Sequence, residues 1–316
     1  MNIVLLESLG VPQEVLNAHA EPLRAAGHTF AAYQKTPIIA ETIERAKDAD
    51  ILMIANGQLP GEVIAACPNL KFISVAFTGV DHVDVALCKE RGIKISNAAG
   101  YATQSVAELT ICVMISLLRR VAQTDAACRE GGTKEGLIGC ELRGKTVGIV
   151  GTGAIGLRVA ELLQPFGCEL IAYAPREKAR AKELGIRYLP LEEVVKTADI
   201  LTLHTPLTDE TRGMIGAAQI AAMKPGAYFI NMARAQVADS YALAAALKKG
   251  ALAGAAIDVF EKEPPIHAGH PLLGAPRVLL MPHIGFSTRE SLELRAKMAF
   301  ENVAAYLAGE QLHKIL

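Results

Sequence analysis

The chain has 316 residues, enough for about two domains of ordinary size, each with its own core. Apolar residues make up 51% and charged residues 21%, with a formal net charge of −1, the balance of a globular enzyme and not of a disordered or fibrous chain. No block of basic residues stands out, so nucleic acid and anionic membranes, which need a positive stripe, are not expected partners.

The opening segment, MNIVLLESLG, has no basic region and meets Glu7 after one short apolar run. It reads as a first strand and not as a signal peptide. Further short apolar runs follow at IVLL (3–6), ADILMIA (49–55), KFISVAF (71–77) and IKISN (93–97), separated by helix-like segments such as PQEVLNAHAEPLRAAG and ETIERAKDA. Strands alternating with helices predict a parallel sheet covered on both faces. Next comes one long predicted helix, SVAELTICVMISLLRRVAQTDAACREGG, ending at the helix stops Gly131 and Gly132. Its longest apolar run, LTICVMISLL, is about half a membrane span.

After a loop containing GLIGC the pattern restarts at LRGKTVGIVGTGAIG and continues through CELIAYA, ADILTLHTP, AYFINMA, LAGAAIDVF and VLLMPHIG. The final segment, STRESLELRAKMAFENVAAYLAGEQ, reads as an amphipathic helix. The expectation is an α/β protein of two doubly wound parallel-sheet domains. Six cysteines are scattered without a CxxC pair or a nearby histidine pairing. They fit reduced thiols in a cytosolic protein, with no structural metal.

Within GKTVGIVGTGAIGLRVAELL, a buried-type strand precedes Gly151, Gly153 and Gly156 at the GxGxxG spacing, and a helix follows. The first glycine allows the tight turn, the second lets backbone approach a pyrophosphate, and the third lets helix and strand pack closely. Amide groups around Thr152, Ala154 and Ile155, at the positive end of the helix dipole, would receive phosphate charge. A purely structural glycine turn is the plain alternative. The second strand of such a site commonly ends in an acidic residue that grips the adenosine ribose, and here Ala174 takes that place. Alanine neither binds the ribose hydroxyls nor repels a 2′-phosphate. Arg176 is near enough in sequence to meet such a phosphate, or it is a solvated surface charge. The cofactor is therefore expected to be NAD or NADP, undecided.

Three further stretches, NMARAQVADSYAL (231–243), AAIDVFEKEPP (255–265) and LLMPHIGFST (279–288), each set polar groups just after a strand-like run. In open parallel sheets ligands bind outside the carboxyl ends of the strands. Arg234 offers a planar fork for a carboxylate, His283 can exchange a proton near neutral pH, and Glu263 could orient His283. That set suits reduction of a 2-oxo acid. Singly, each has a bland reading: a surface ion pair, a satisfied loop histidine, a solvated turn.

Together with FTGVDHVD (77–84), RGIKISNAAGYATQSVAEL (91–109) and LHTPLTDETRGMI (203–215), these stretches resemble the D-isomer-specific 2-hydroxyacid dehydrogenase family along nearly the whole chain. The resemblance implies that Arg234 binds and polarises the substrate, that His283 is the acid/base with Glu263 as partner, and that Asp258 sits by the nicotinamide carboxamide. It implies that backbone amides around Thr78 and Gly79 hold the substrate carboxylate. His204, Thr205, Pro206, Thr211 and Ala233 would contact the cofactor. A Rossmann-type cofactor domain, residues 97–286, would be inserted in a flavodoxin-like substrate domain, residues 1–96 and 287–316. A homodimer is implied, with the long helix after Tyr101 crossing between domains and contributing to the interface.

The chain departs from the family pattern at Ala174 and at Ala235, where glycine commonly follows the arginine. Phe286 stands where many members have glycine; with Tyr101 it resembles the D-lactate dehydrogenase-like members and suggests an apolar wall around the substrate side chain, ordinary packing being the alternative. Glutamate at 263, not glutamine, argues against formate dehydrogenase. ANGQLPGEV (55–63) lacks the arginine that phosphoglycerate dehydrogenases place there. A dinucleotide-sensing, corepressor-like scaffold of the same fold is the other reading.

Overall fold

The computed structural model describes residues 1–262 and 265–316. It divides into two compact units, residues 1–102 with 286–316, and residues 103–285. Asn97 to Ala102 and Phe286 thus lie in the first unit.

The first unit is built on five parallel strands, β1 (Asn2–Leu5), β2 (Thr29–Ala32), β3 (Ile51–Ile54), β4 (Phe72–Val75) and β5 (Lys94–Ser96), in the order β2-β1-β3-β4-β5. This is the flavodoxin-like order. Strands β3 and β4 are buried at every residue, as a parallel sheet covered on both faces requires. Helices Gln13–Ala25 and Arg289–Leu307 share a core with the sheet, in which Ile3, Leu5, Leu23, Met53 and Phe72 pack with Ala296, Ala299, Phe300 and Val303. Burying each large side chain of this set contributes about 1.5–3 kcal/mol. The C-terminal tail is fastened to β5 through Ile315 N–H to the Ile95 carbonyl (2.9 Å) and Ser96 Oγ to the Leu312 carbonyl (2.6 Å).

The second unit has seven parallel strands, β6 (Thr146–Val150), β7 (Glu169–Tyr173), β8 (Arg187–Tyr188), β9 (Ile200–Leu203), β10 (Ala227–Asn231), β11 (Leu252–Ile257) and β12 (Val278–Leu280). Their order is β12-β11-β10-β9-β6-β7-β8. Counting from β6, this is the Rossmann order with one strand added at an edge, and its switch point falls between β6 and β9.

Two sequence expectations change. The long helix is broken: Thr103–Leu118 and Val121–Arg129 are separate, with Arg120 between them in the left-handed region at φ 54°. The second helix buries no residue within the chain. The Arg120 guanidinium donates to the Gly136 carbonyl at 2.7 Å. Strands β2 and β8 were not expected. Both are sheet edges, and their residues are only half-buried or exposed, so neither leaves an apolar run in the sequence.

Among the described residues, no helix is long and apolar enough to cross a membrane. No group of three or more His, Cys, Asp or Glu among them is placed to hold a metal ion.

Candidate active site

The glycine turn in the second unit carries the geometry that a dinucleotide needs. Gly151, directly after β6, has φ 99°, and a Cβ there would lie 2.7 Å from the His204 carbonyl oxygen. Only glycine fits this close, left-handed approach. A Cβ on Gly156 would collide with the Gly151 carbonyl oxygen, so the third glycine lets the helix Ala154–Leu163 start against the strand. Gly153 caps that helix with open space where its Cβ would stand. The turn is thus packed tight behind its first and third glycines and open at the second, which matches the cradle of a pyrophosphate. Thr152 is buried and accepts a hydrogen bond from the Tyr188 hydroxyl at 2.8 Å. The residues of a nucleotide site fit a nicotinamide dinucleotide here.

Ala174 follows the end of β7 and is half-buried, whereas Arg176 is exposed. Arg180, more distant, is engaged with Glu161 (3.0 Å) and Glu183 (3.1 Å). Past β9, the His204 Nε2 is paired with Thr202 Oγ1 at 2.9 Å, and burial pushes the pKa of the ring down to about 3. The imidazole is neutral at any ordinary pH. Thr205 and Pro206 continue that loop, and Thr211 is turned into it: its Oγ1 donates to the Pro206 carbonyl at 2.7 Å and accepts from Thr208 N–H at 2.8 Å. Thr211 therefore shapes the loop from within.

The ends of β10, β11 and β12 present Arg234, Asp258 and His283 from neighbouring strands. Asn231, at the end of β10 and buried, holds the turn to Arg234 by accepting from the Ala233 N–H (3.0 Å) and donating to the Arg234 carbonyl (2.9 Å). Sequence reasoning passed over Asn231, although an asparagine at a strand end is a recognised turn-former. The Arg234 Nη1 donates to the Ala233 carbonyl at 2.9 Å. Asp258 is buried, and its two carboxylate oxygens accept from the Ile284 and Gly285 amides, each at 2.8 Å. It thereby clamps the loop that carries His283, a residue at φ 55° whose N–H donates to the Met281 carbonyl (3.0 Å). Glu263 lies outside the described residues. Nearby, Glu261 pairs with His270 at 2.8 Å and accepts from Ser240 Oγ at 2.7 Å, a surface cluster that sequence reasoning did not single out.

In the first unit, Phe77, Thr78 and Gly79 follow β4. The Thr78 carbonyl accepts from Asn97 Nδ2 at 2.7 Å. Asn97 is tied further to the C-terminal segment: its carbonyl accepts from Asn302 Nδ2 (2.8 Å), and Asn302 Oδ1 is paired with His313 Nδ1 (2.9 Å). Since the Asn302 amide nitrogen is already donating, its oxygen accepts and the His313 Nδ1 carries the proton. The rings of Tyr101 and Phe286 both meet Phe77, at 6.2 and 5.4 Å between centroids.

A doubly wound unit with this glycine turn on its first strand, and with polar side chains grouped at the ends of neighbouring strands, defines a dinucleotide-binding protein. A family model described as D-isomer specific 2-hydroxyacid dehydrogenase, NAD binding domain, matches residues 111–285. The chain belongs to the D-isomer-specific 2-hydroxyacid dehydrogenases and is an oxidoreductase that uses a nicotinamide dinucleotide. A glyoxylate reductase of Korarchaeum cryptofilum is 38% identical over 275 residues, covering 85% of this chain and 82% of that protein. D-lactate dehydrogenase from Aquifex aeolicus, complexed with NAD and lactic acid, superposes with a TM-score of 0.86 and 29% identity, over 98% of this chain and 96% of that one. An acyclic imino acid reductase in complex with NADPH and D-Arg gives a TM-score of 0.90 at 28% identity, with both chains fully covered (100%).

Proposed function

We propose that the protein reduces small 2-oxo acids to D-2-hydroxy acids, in the company of relatives named for glyoxylate and D-lactate. The observation that carries this reading is the Asp258 clamp, which fixes the His283 loop two strands from Arg234, on the same edge as the glycine turn. A bound reduced nicotinamide dinucleotide supplies the hydride. Arg234 binds the substrate carboxylate and polarises the carbonyl. Protonated His283 donates its proton to the carbonyl oxygen as negative charge develops there, with Glu263 as its partner in the reading of the sequence. Backbone amides of Thr78 and Gly79 add donors for the carboxylate. Residues 103–285 serve as the cofactor domain and the other unit as the substrate domain, in a cytosolic homodimer.

For the cofactor we read tolerance of NADP beside NAD. Ala174 puts no carboxylate against a 2′-phosphate, and the exposed Arg176 has no ion pair among the described residues. Known relatives span both cofactors, with NAD in one complex and NADPH in another. The test is a spectrophotometric screen of pyruvate, glyoxylate and hydroxypyruvate with NADH and NADPH, repeated with His283→Gln. We expect kcat to fall by about 10²–10⁴ in the variant, with dinucleotide binding retained. Unchanged turnover removes His283 from its role. Tight dinucleotide binding without turnover of any oxo acid points instead to a sensing protein of the same fold.

A further inference from the structure

We infer that Arg295 is a specificity-determining residue, which makes the substrate side-chain site favour 2-oxo acids bearing oxygen on the carbon-3 substituent over purely apolar ones. This rests on the reading of the chain as a 2-oxo acid reductase and deepens it. Arg295 lies in the helix Arg289–Leu307 and is only 3% exposed. A guanidinium is a pure donor with five N–H bonds. Its Nη2 donates to the Leu9 carbonyl at 2.6 Å and the Tyr101 hydroxyl is a hydrogen-bonding neighbour of the guanidinium, while Nε and Nη1, both buried, have no acceptor within 3.5 Å among the described residues. Buried donors of this kind call for a partner.

The guanidinium lies over Phe286 at 5.4 Å and over Tyr101 at 5.9 Å from the ring centroids. Both rings meet Phe77, the residue before Thr78 and Gly79, which are the residues proposed to hold the substrate carboxylate. The wall expected from Tyr101 and Phe286 is therefore not simply apolar, because a cation backs it. Burial drives the Arg295 pKa below its ordinary value, while Tyr101 and the Glu7 carboxylate work against that fall. Glu7 itself is engaged by the amides of Ala55 and Gly57, each at 2.8 Å. It balances the charge without using up the guanidinium's donors. Recognition at such a site falls on an oxygen acceptor, a hydroxyl or a carboxylate, and discriminates against an analogue that leaves the donors unmet.

The test compares kcat/KM of the intact protein for hydroxypyruvate, oxaloacetate and 2-oxobutanoate, which carry a hydroxyl, a carboxylate and a methyl group on carbon 3. We expect the wild type to favour at least one oxygenated acid over 2-oxobutanoate by about 10-fold or more. Arg295→Met, close in length, should reduce that ratio by about 10-fold or more, chiefly through KM, and Arg295→Lys should recover part of it. Whichever oxygenated acid is preferred supports the inference and tells hydroxyl from carboxylate. A wild type that prefers 2-oxobutanoate overturns it, even if Arg295→Met does not fold. So does an Arg295→Met variant that weakens all three acids equally, as loss of packing alone would. Turnover of pyruvate or glyoxylate but of none of the three overturns the inference alone, whereas turnover of no oxo acid at all overturns the reductase reading and the inference with it.

Discussion

At the scale of single residues, charge and burial decide what each side chain can do. His204 is the plainest case: its ring is enclosed, it bonds Thr202, and its pKa is pushed down to about 3. In the unfolded chain a histidine titrates near 6.5. The unfolded state therefore binds the extra proton between those values, and stability falls as pH drops from about 6.5 towards 3. Above that window the group contributes no pH dependence. We expect His204→Asn to flatten the acid limb of the stability curve by up to about 1.4 kcal/mol per pH unit, measured by urea unfolding between pH 7 and 4; an equal slope in both proteins would count against a neutral buried ring. Asp258 was legible as a carboxylate at a strand end, but not what it grips, since the Ile284 and Gly285 amides reach it only in the folded chain. Arg295 was not legible as a site residue at all. An arginine in an amphipathic helix reads as a solvent-facing charge, and only tertiary packing buries this one.

At the scale of elements, the glycine turn separates two demands that its motif merges. Gly156 is required by the fold, because a Cβ would strike the Gly151 carbonyl, whereas nothing protein-borne stands where a Cβ on Gly153 would project. Gly156→Ala should cost stability outright, by about 1–3 kcal/mol if the helix shifts to accommodate it. Gly153→Ala should leave the melting temperature of the cofactor-free protein within about 2 °C, since exposed substitutions stay within about 0.5 kcal/mol, yet weaken dinucleotide binding markedly in a fluorescence titration. If Gly153→Ala bound the dinucleotide normally, the open space would not be a phosphate cradle. The central strands were legible because parallel sheets bury both faces and leave unbroken apolar runs. The edge strands β2 and β8 escaped for the opposite reason. The break at Arg120 escaped because helix-forming residues continue through it; only the folded chain shows Arg120 in the left-handed region with its guanidinium on the Gly136 carbonyl.

At the scale of the whole molecule, each unit has its own core. The cluster containing Val150, Leu201, Phe229, Leu243 and Ile257 belongs entirely to residues 103–285. A fragment of those residues should therefore unfold cooperatively on its own and bind NADH or NADPH, with no oxo acid turnover; failure of the fragment to give a cooperative transition would show that its core is incomplete. The first unit differs in kind. Its sheet comes from the beginning of the chain, but Ala296, Ala299, Phe300 and Val303, which close its core, come from the end. During synthesis the ribosome releases β1 to β5 long before the segment that seals them has been translated, while the intervening unit is free to fold as it emerges. Closure of the first core therefore waits for residues 289–307, which are made only after the whole of the second unit, and until then the apolar sheet stands unsealed.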